Sequence, residues 1–238
     1  MKIALIGYGK MGHEIEAIAN ERNHQVVLTI DKDNPQDISP EKLKLADVAI
    51  EFTSPHTAFA NVLACFNAGV PVVSGSTGWG DQVPEAEELC RKANGGFFYA
   101  TNFSVGVNIF FRVNKLLASL MAKTPGYSLE VEEIHHTQKL DAPSGTAITL
   151  TEVIASELTS KNGWTMNPDE KQEKILIKAL REGSVPGTHS VFYESGVDKI
   201  TLTHEAKNRK GLALGAILAA EFMVGKKGVY GMNDLIKL

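Results

Sequence analysis

Through residues 1–100 the chain alternates short β-branched runs with stretches of helical periodicity, and no other feature restricts its fold as much. The strand-like runs cover residues 3–6, 25–30, 48–52, 70–74 and 96–100, and the helical patterns cover 11–21, 57–68 and 83–93. Strands separated by helix-length segments pair in parallel, with the helices packed on the two faces of the sheet. Their residues are apolar almost continuously, as required when both faces are covered. The expectation is α/β, a doubly wound parallel sheet.

Gly7-Tyr8-Gly9-Lys10-Met11-Gly12 follows the first strand at once and opens the first helix. In that context the first glycine permits a tight turn, the second lets backbone approach a pyrophosphate, and the third lets helix and strand pack closely. Asp31 ends the second strand about twenty residues beyond Gly12, where a carboxylate can accept hydrogen bonds from an adenosine ribose. A carboxylate there repels a 2′-phosphate, so NADH is expected to be preferred, with NADPH tolerated through Lys32. Ligands of open α/β sheets bind outside the carboxyl ends of the strands. Two further loops fall there, Gly75-Ser76-Thr77 and Ala100-Thr101-Asn102-Phe103, and both are expected beside the nicotinamide and its ribose.

After residue 104 the pattern changes. A long apolar helix over 106–121 precedes strands with alternating faces over 127–135, 174–181, 189–194 and 199–204. Gly183, Pro186-Gly187 and Ser195-Gly196 supply the turns between the later ones. Such strands form an open mixed or antiparallel sheet, so a second, smaller α+β domain is expected. Residues 160–171 are polar, with Asn, Gly, Pro and Asp, and read as a surface loop. A last helix over 210–224 is expected to return to the first domain. The division is therefore 1–105, completed by 209–238, for the dinucleotide, and 106–208 for substrate binding and oligomerisation. An open sheet covered on one face by its own helices leaves another face, for which further copies of the chain are the expected cover.

The chemistry is concentrated between Glu133 and Thr146, Glu-Ile-His-His-Thr-Gln-Lys-Leu-Asp-Ala-Pro-Ser-Gly-Thr. Two imidazoles end an apolar-alternating run, an ammonium follows at Lys139, and Ser144-Gly145-Thr146 opens a helix whose first backbone N–H groups have no intrahelical acceptor. A dicarboxylate would meet a proton donor titrating near neutral pH, a fixed positive charge and an oriented amide cluster. Asp141 is expected to orient the loop.

Composition removes several classes. The 238 residues carry a formal net charge of −4 and 22% charged side chains, which offers no basic surface for nucleic acid. No apolar run approaches the roughly 20 residues of a membrane span, and the N-terminus enters a strand directly instead of a signal-peptide pattern, so a cytoplasmic protein is expected. Cys65 and Cys90 have neither metal-ligand nor disulfide spacing, and no metal is expected.

Gly7-Tyr8-Gly9-Lys10-Met11-Gly12, Glu51-Phe52-Thr53, Gly75-Ser76-Thr77-Gly78, Asn102-Phe103-Ser104-Val105-Gly106-Val107-Asn108 and His135-His136-x-x-Lys139-x-Asp141-Ala142-Pro143-Ser144-Gly145-Thr146 together resemble the 4-hydroxy-tetrahydrodipicolinate reductase (dihydrodipicolinate reductase) family in order and spacing. The resemblance implies a Rossmann domain completed by the C-terminal helix and a central α/β domain whose sheet builds a homotetramer. It implies hydride transfer from NADH or NADPH to cyclic hydroxy-tetrahydrodipicolinate with loss of water, in lysine and diaminopimelate biosynthesis. It also implies roles: His135 donates the proton, Lys139 is the second catalytic residue, and His136, Ser144, Gly145 and Thr146 bind substrate. Arg209 falls where the family commonly has a cofactor-proximal arginine and is left unassigned. The rival readings are a cofactor-binding regulator without turnover and another two-domain oxidoreductase acting on a semialdehyde.

Overall fold

The computed structural model describes residues 1–208 and 210–236; Arg209 therefore lies outside the described residues. In chain order the elements are β1 (Lys2–Ile6), α1 (Lys10–Glu21), β2 (Gln25–Ile30), α2 (Pro40–Leu43), β3 (Val48–Glu51), α3 (Ala58–Ala68), β4 (Val72–Ser74), α4 (Val83–Lys92) and β5 (Gly96–Tyr99). They continue as α5 (Val105–Met121), β6 (Ser128–His135), α6 (Gly145–Glu157), β7 (Trp164–Thr165), β8 (Ile175–Arg181), β9 (Thr188–Glu194) and β10 (Lys199–Glu205). The last three are α7 (Lys210–Met223), β11 (Gly228–Tyr230) and α8 (Met232–Leu235). Two compact units result, Met1–Val105 with Lys210–Leu238, and Gly106–Arg209.

The first unit is built on a six-stranded sheet in the order β11-β5-β4-β3-β1-β2, parallel at every pairing. Because side chains alternate across a strand, Ala4 and Ile6 of β1 enter one core with Val62, Phe66, Trp79 and Phe97. Ile3 and Leu5 enter the other, with Ile15, Ile18, Phe98 and the small-residue face of α7 at Ala213, Ala216 and Ala220. The last helix thus closes the first unit, and Arg22 reinforces it with a two-pronged pair to Glu221 at 2.8 and 2.9 Å. The edge strand β11 gives no alternation signal in three residues; pairing with Phe97 and Phe98 defines it.

The second unit has a five-stranded sheet in the order β10-β9-β6-β8-β7. β6 runs antiparallel to β9 and parallel to β8, so the sheet is mixed, as expected. Helices α5 and α6 cover one face, packing Phe110, Ala118, Leu150 and Ile154 on Val131, Ile177, Val191 and Tyr193. Within the stretch read as a loop, Trp164 and Thr165 instead pair with Ile175 and Leu176. Their β-forming side chains dock on the core edge while the polar neighbours hide the signal.

The opposite face mixes Ile134, Leu176, Leu180 and Phe192 with Glu130, Glu132, Lys178, Glu194 and Lys199, and pairs Lys178 with Glu130 at 2.7 Å. Exposed apolar groups also form a stripe along α5 at Ile109, Val113, Leu116 and Leu120, spaced to share one helix face.

Candidate active site

On β6, alternate residues Val131, Glu133 and His135 share one face, and register decides what they meet. Glu133 stands opposite Ala179 on β8 and His189 on β9, while His135 ends the strand opposite Arg181. Glu133 is fully buried. Such a carboxylate needs donors. Its two oxygens lie 3.1 and 3.0 Å from the amide nitrogen of Ser144, and Arg181 Nη2 donates to Oε1 at 3.0 Å. Burial pushes its pKa up, but the neighbouring His189, Ser144 and Arg181 outweigh burial and hold it down at about 2.

His135 is 8% exposed. Its Nδ1 lies 3.5 Å from Glu133 Oε2 and has no hydrogen-bond partner among the described residues. Burial first, then the charge of His189, depress its pKa to about 4; Glu133 pulls the other way, and Lys139 and Arg181 add to the depression. The expectation of a ring titrating near neutrality is therefore corrected. In the free chain His135 is neutral, because the ring has lost its water and faces cations as well as a carboxylate. The His189 ring stands T-shaped to it at 5.0 Å. A Cβ on Gly187, whose φ is +155°, would sit 3.0 Å from His135 Nε2.

Ser144 is the N-cap of α6, as its sequence position suggests. Its N–H goes to Glu133, and its Oγ pairs with His189 Nε2 at 3.1 Å and accepts from Ala147 N–H. The amides left to face an anion are those of exposed Gly145 and half-buried Thr146, the first two positions of the helix. Lys139 Nζ is held by both Asp141 oxygens, at 2.7 and 2.8 Å. His136 is half-buried and accepts the Lys139 N–H on its carbonyl.

Glu133, Arg181, Gly187 and His189 were not among the expected site residues. Glu133, His135 and His189 present one ligand-type atom each within 4.8 Å. Arg181 already supplies the positive charge on this carboxylate, so the arrangement is a hydrogen-bond network. The available sequence signal was phase: Glu133 alternates with Leu129, Val131 and His135 on β6, and His189 with Val191 and Tyr193 on β9, so both fall on inward faces.

In the first unit, a cavity of ≈ 390 Å³ is lined by Gly7, Tyr8, Gly9, Asp31 and Lys32 together with the loop after β3. Gly7 has φ +98°, and a Cβ there would overlap the Phe52 carbonyl at 2.0 Å. A Cβ on Gly9 would meet nothing within 4 Å, so the second glycine leaves the cleft open at the N-terminus of α1. No acidic residue occupies the first turn of α1, and its positive end is free for a phosphate. These features fit a dinucleotide. Asp31 Oδ1 accepts the Lys32 N–H at 2.8 Å and its N–H donates to Asn34.

Other expected cofactor residues are placed differently. Lys10 is exposed at the start of α1, Met11 packs on the core beneath, and Gly12 is buried within the helix. Tyr8 does line the cavity, and its hydroxyl donates to Glu16. Gly75, Ser76 and Thr77 follow β4, and Ala100, Thr101, Asn102 and Phe103 follow β5; none of these seven lines the cavity. Buried Ser76 gives its hydroxyl to Glu51, and Phe103 packs between Phe52 and Phe98, which holds both loops at the strand tips. Asn102 Oδ1 accepts from Ser104 N–H. Sequence reasoning missed Thr53, Ser54, Thr57 and Asn61, which do line the cavity.

Comparison with known proteins agrees with both halves. The family model described as "Dihydrodipicolinate reductase, N-terminus" matches residues 1–103, and "Dihydrodipicolinate reductase, C-terminus" matches 106–236. A 4-hydroxy-tetrahydrodipicolinate reductase of Christiangramia forsetii is 48% identical over 99% of this chain and 98% of its own length. One from Staphylococcus carnosus is 36% identical over 99% of each chain. Among solved structures, a dipicolinate-bound dihydrodipicolinate reductase from Paenisporosarcina sp. TG-14 superposes with a TM-score of 0.80 at 25% identity, covering 100% of this chain and 99% of that one. An amine dehydrogenase from Mycobacterium smegmatis, 10% identical with a TM-score of 0.59 over 100% of this chain and 96% of its own, shares the fold alone. With both family models matched in tandem and close relatives spanning its length, the chain belongs to the dihydrodipicolinate reductase family.

Proposed function

We propose that this chain reduces 4-hydroxy-tetrahydrodipicolinate to tetrahydrodipicolinate in the diaminopimelate route to lysine: hydride and a proton enter, and water leaves. The observation that carries the residue assignment is the buried His135, supported by Glu133 and His189, beside Lys139 and the Gly145 and Thr146 amides. Bound NAD(P)H supplies the hydride. His135 supplies the proton that balances it, a contribution typically worth about 10²–10⁴ in rate. Lys139, exchanging Asp141 for substrate, binds one carboxylate, and the two free amides of α6 hold the other. His136 completes the substrate contacts.

The phosphates of the cofactor sit at the N-terminus of α1, against Gly9. Asp31 favours NADH by accepting from the ribose hydroxyls, and adjacent Lys32 allows NADPH. The apolar stripe on α5 and the outer face of the second sheet support assembly into a homotetramer. Among the described residues no helix is long and apolar enough to cross a membrane, and a cytoplasmic location goes with this biosynthetic role. The test is an assay with freshly condensed pyruvate and aspartate semialdehyde. Loss of the reduced nicotinamide band supports the reading; cofactor binding without oxidation would leave a regulator instead.

A further inference from the structure

Resting on the reading of His135 as proton donor, we propose that Glu133 is a positioning residue that sets the donor and the substrate-binding turn with one carboxylate: its Oε2 fixes His135 with Nδ1–H inward and Nε2 outward, while the carboxylate clamps the Ser144 amide. The observations are geometric. Oε2 lies 3.5 Å from His135 Nδ1, a buried atom that has no hydrogen-bond partner among the described residues and whose nearest carboxylate is this one. Both oxygens lie within 3.1 Å of Ser144 N, the residue before the free amides of α6. Arg181 locks the carboxylate from the far side and also donates to the Asp141 carbonyl at 2.6 Å, tying in the loop that carries Lys139. His189 Nε2 stands 3.7 Å from Oε2 and binds the Ser144 hydroxyl. The missing side chain at Gly187 leaves the Nε2 edge of His135 open.

Charge gives this arrangement a purpose. The groups facing the His135 ring are Glu133 on its own strand, Arg181 on β8, His189 on β9 and Lys139 in the following loop. Glu133 is the carboxylate opposing the others. A free chain therefore holds the ring neutral, with Nδ1–H directed at Glu133 and a lone pair at Nε2. When a substrate with two carboxylates enters, its negative charge raises the affinity of Nε2 for a proton, and Glu133 stabilises the imidazolium from behind. Without Glu133 the ring would face cations alone and would charge only at lower pH.

The experiment compares the pH dependence of kcat for the intact wild type, Glu133→Gln and Glu133→Asp. An acid must be protonated to act, so kcat falls as pH rises through its pKa in the substrate complex. Glu133→Gln should move that falling limb down by about one pH unit. It should also raise KM, because the Ser144 turn loses its clamp. Glu133→Asp should keep the limb in place while losing part of kcat. A merely structural residue would lower kcat without moving the limb, and an unmoved limb in folded Glu133→Gln overturns the proposal. If that variant does not fold, ¹⁵N NMR of wild-type histidines with pyridine-2,6-dicarboxylate decides: Nδ1 of His135 must be protonated, and an Nε2–H tautomer is the contrary result. His135→Ala separates the two levels. Near-normal turnover in it removes His135 as donor, whereas an inactive His135→Ala beside an unmoved Glu133→Gln limb removes only the role given to Glu133.

Discussion

Both carboxylate oxygens of Glu133 lie 3.0–3.1 Å from the amide nitrogen of Ser144, so a buried strand residue of β6 holds the first turn of α6 in place. A charge-assisted bond of this kind replaces the water that the carboxylate gave up on folding. It also removes Ser144 N–H from the anion-binding amides.

Arg181→Met should be strongly destabilising. It leaves the Glu133 carboxylate buried without its guanidinium, and loss of one partner of a buried pair costs about 3 kcal/mol. Urea unfolding at neutral pH should show a lowered midpoint with an unchanged slope. Wild-type stability would contradict the pairing.

Stability should fall with acid in two overlapping windows. His135 titrates near 4 instead of 6.5, so between those values the unfolded chain binds a proton that the folded chain refuses, and stability drops as pH falls through the range. His204, also lowered by burial, acts in the same direction. Glu133, lowered from 4.5 to about 2, contributes stability above 4.5 that is lost as pH falls toward 2. Denaturant unfolding across this range should show the loss, and His135→Gln should flatten the upper window.

Gly187→Ala should damage turnover more than folding. The new methyl would stand 3.0 Å from His135 Nε2 at a φ of +155°, costing about 1–3 kcal/mol in backbone strain and blocking the open edge of the ring. Steady-state kinetics should show kcat reduced about tenfold or more. Unchanged kcat would mean that the ring reacts through another edge.

Ser144→Ala should be mild for binding. The hydroxyl serves the helix cap and His189, so its loss costs about 1 kcal/mol of stability and changes KM by no more than about threefold. A large rise in KM with intact stability would return Ser144 to direct substrate contact.

Asp31→Ser should shift the cofactor preference. Removing the carboxylate weakens NADH binding and relieves repulsion of a 2′-phosphate, raising the NADPH-to-NADH ratio of kcat/KM by about tenfold. An unaltered ratio would detach Asp31 from cofactor selection.

Much of the fold was legible because it is locally encoded. The first five strands of the first unit declare themselves by apolar runs, as β11 does not, and Gly7 and Gly12 mark the turn into α1 by close backbone approaches that a Cβ would block. The same holds for the start of α6, where the capping residue Ser144 precedes the helix directly. Phe103 and Ser76 were less legible. A loop position at a strand tip does not reveal which way its side chain turns, and packing against Phe52 or Glu51 settles that.

By itself the chain's order of residues determined the two-unit α/β plan, the glycine turn and the place of the His-His-x-x-Lys block between a strand and a helix, since these depend on periodicity and nearest neighbours. Tertiary structure alone decided that Glu133, Arg181 and His189 surround His135, and that this ring is neutral. Strand register across β8, β6 and β9 assembles residues some fifty positions apart, and a pKa answers to the water and charges around a group, which appear only after the strands have paired.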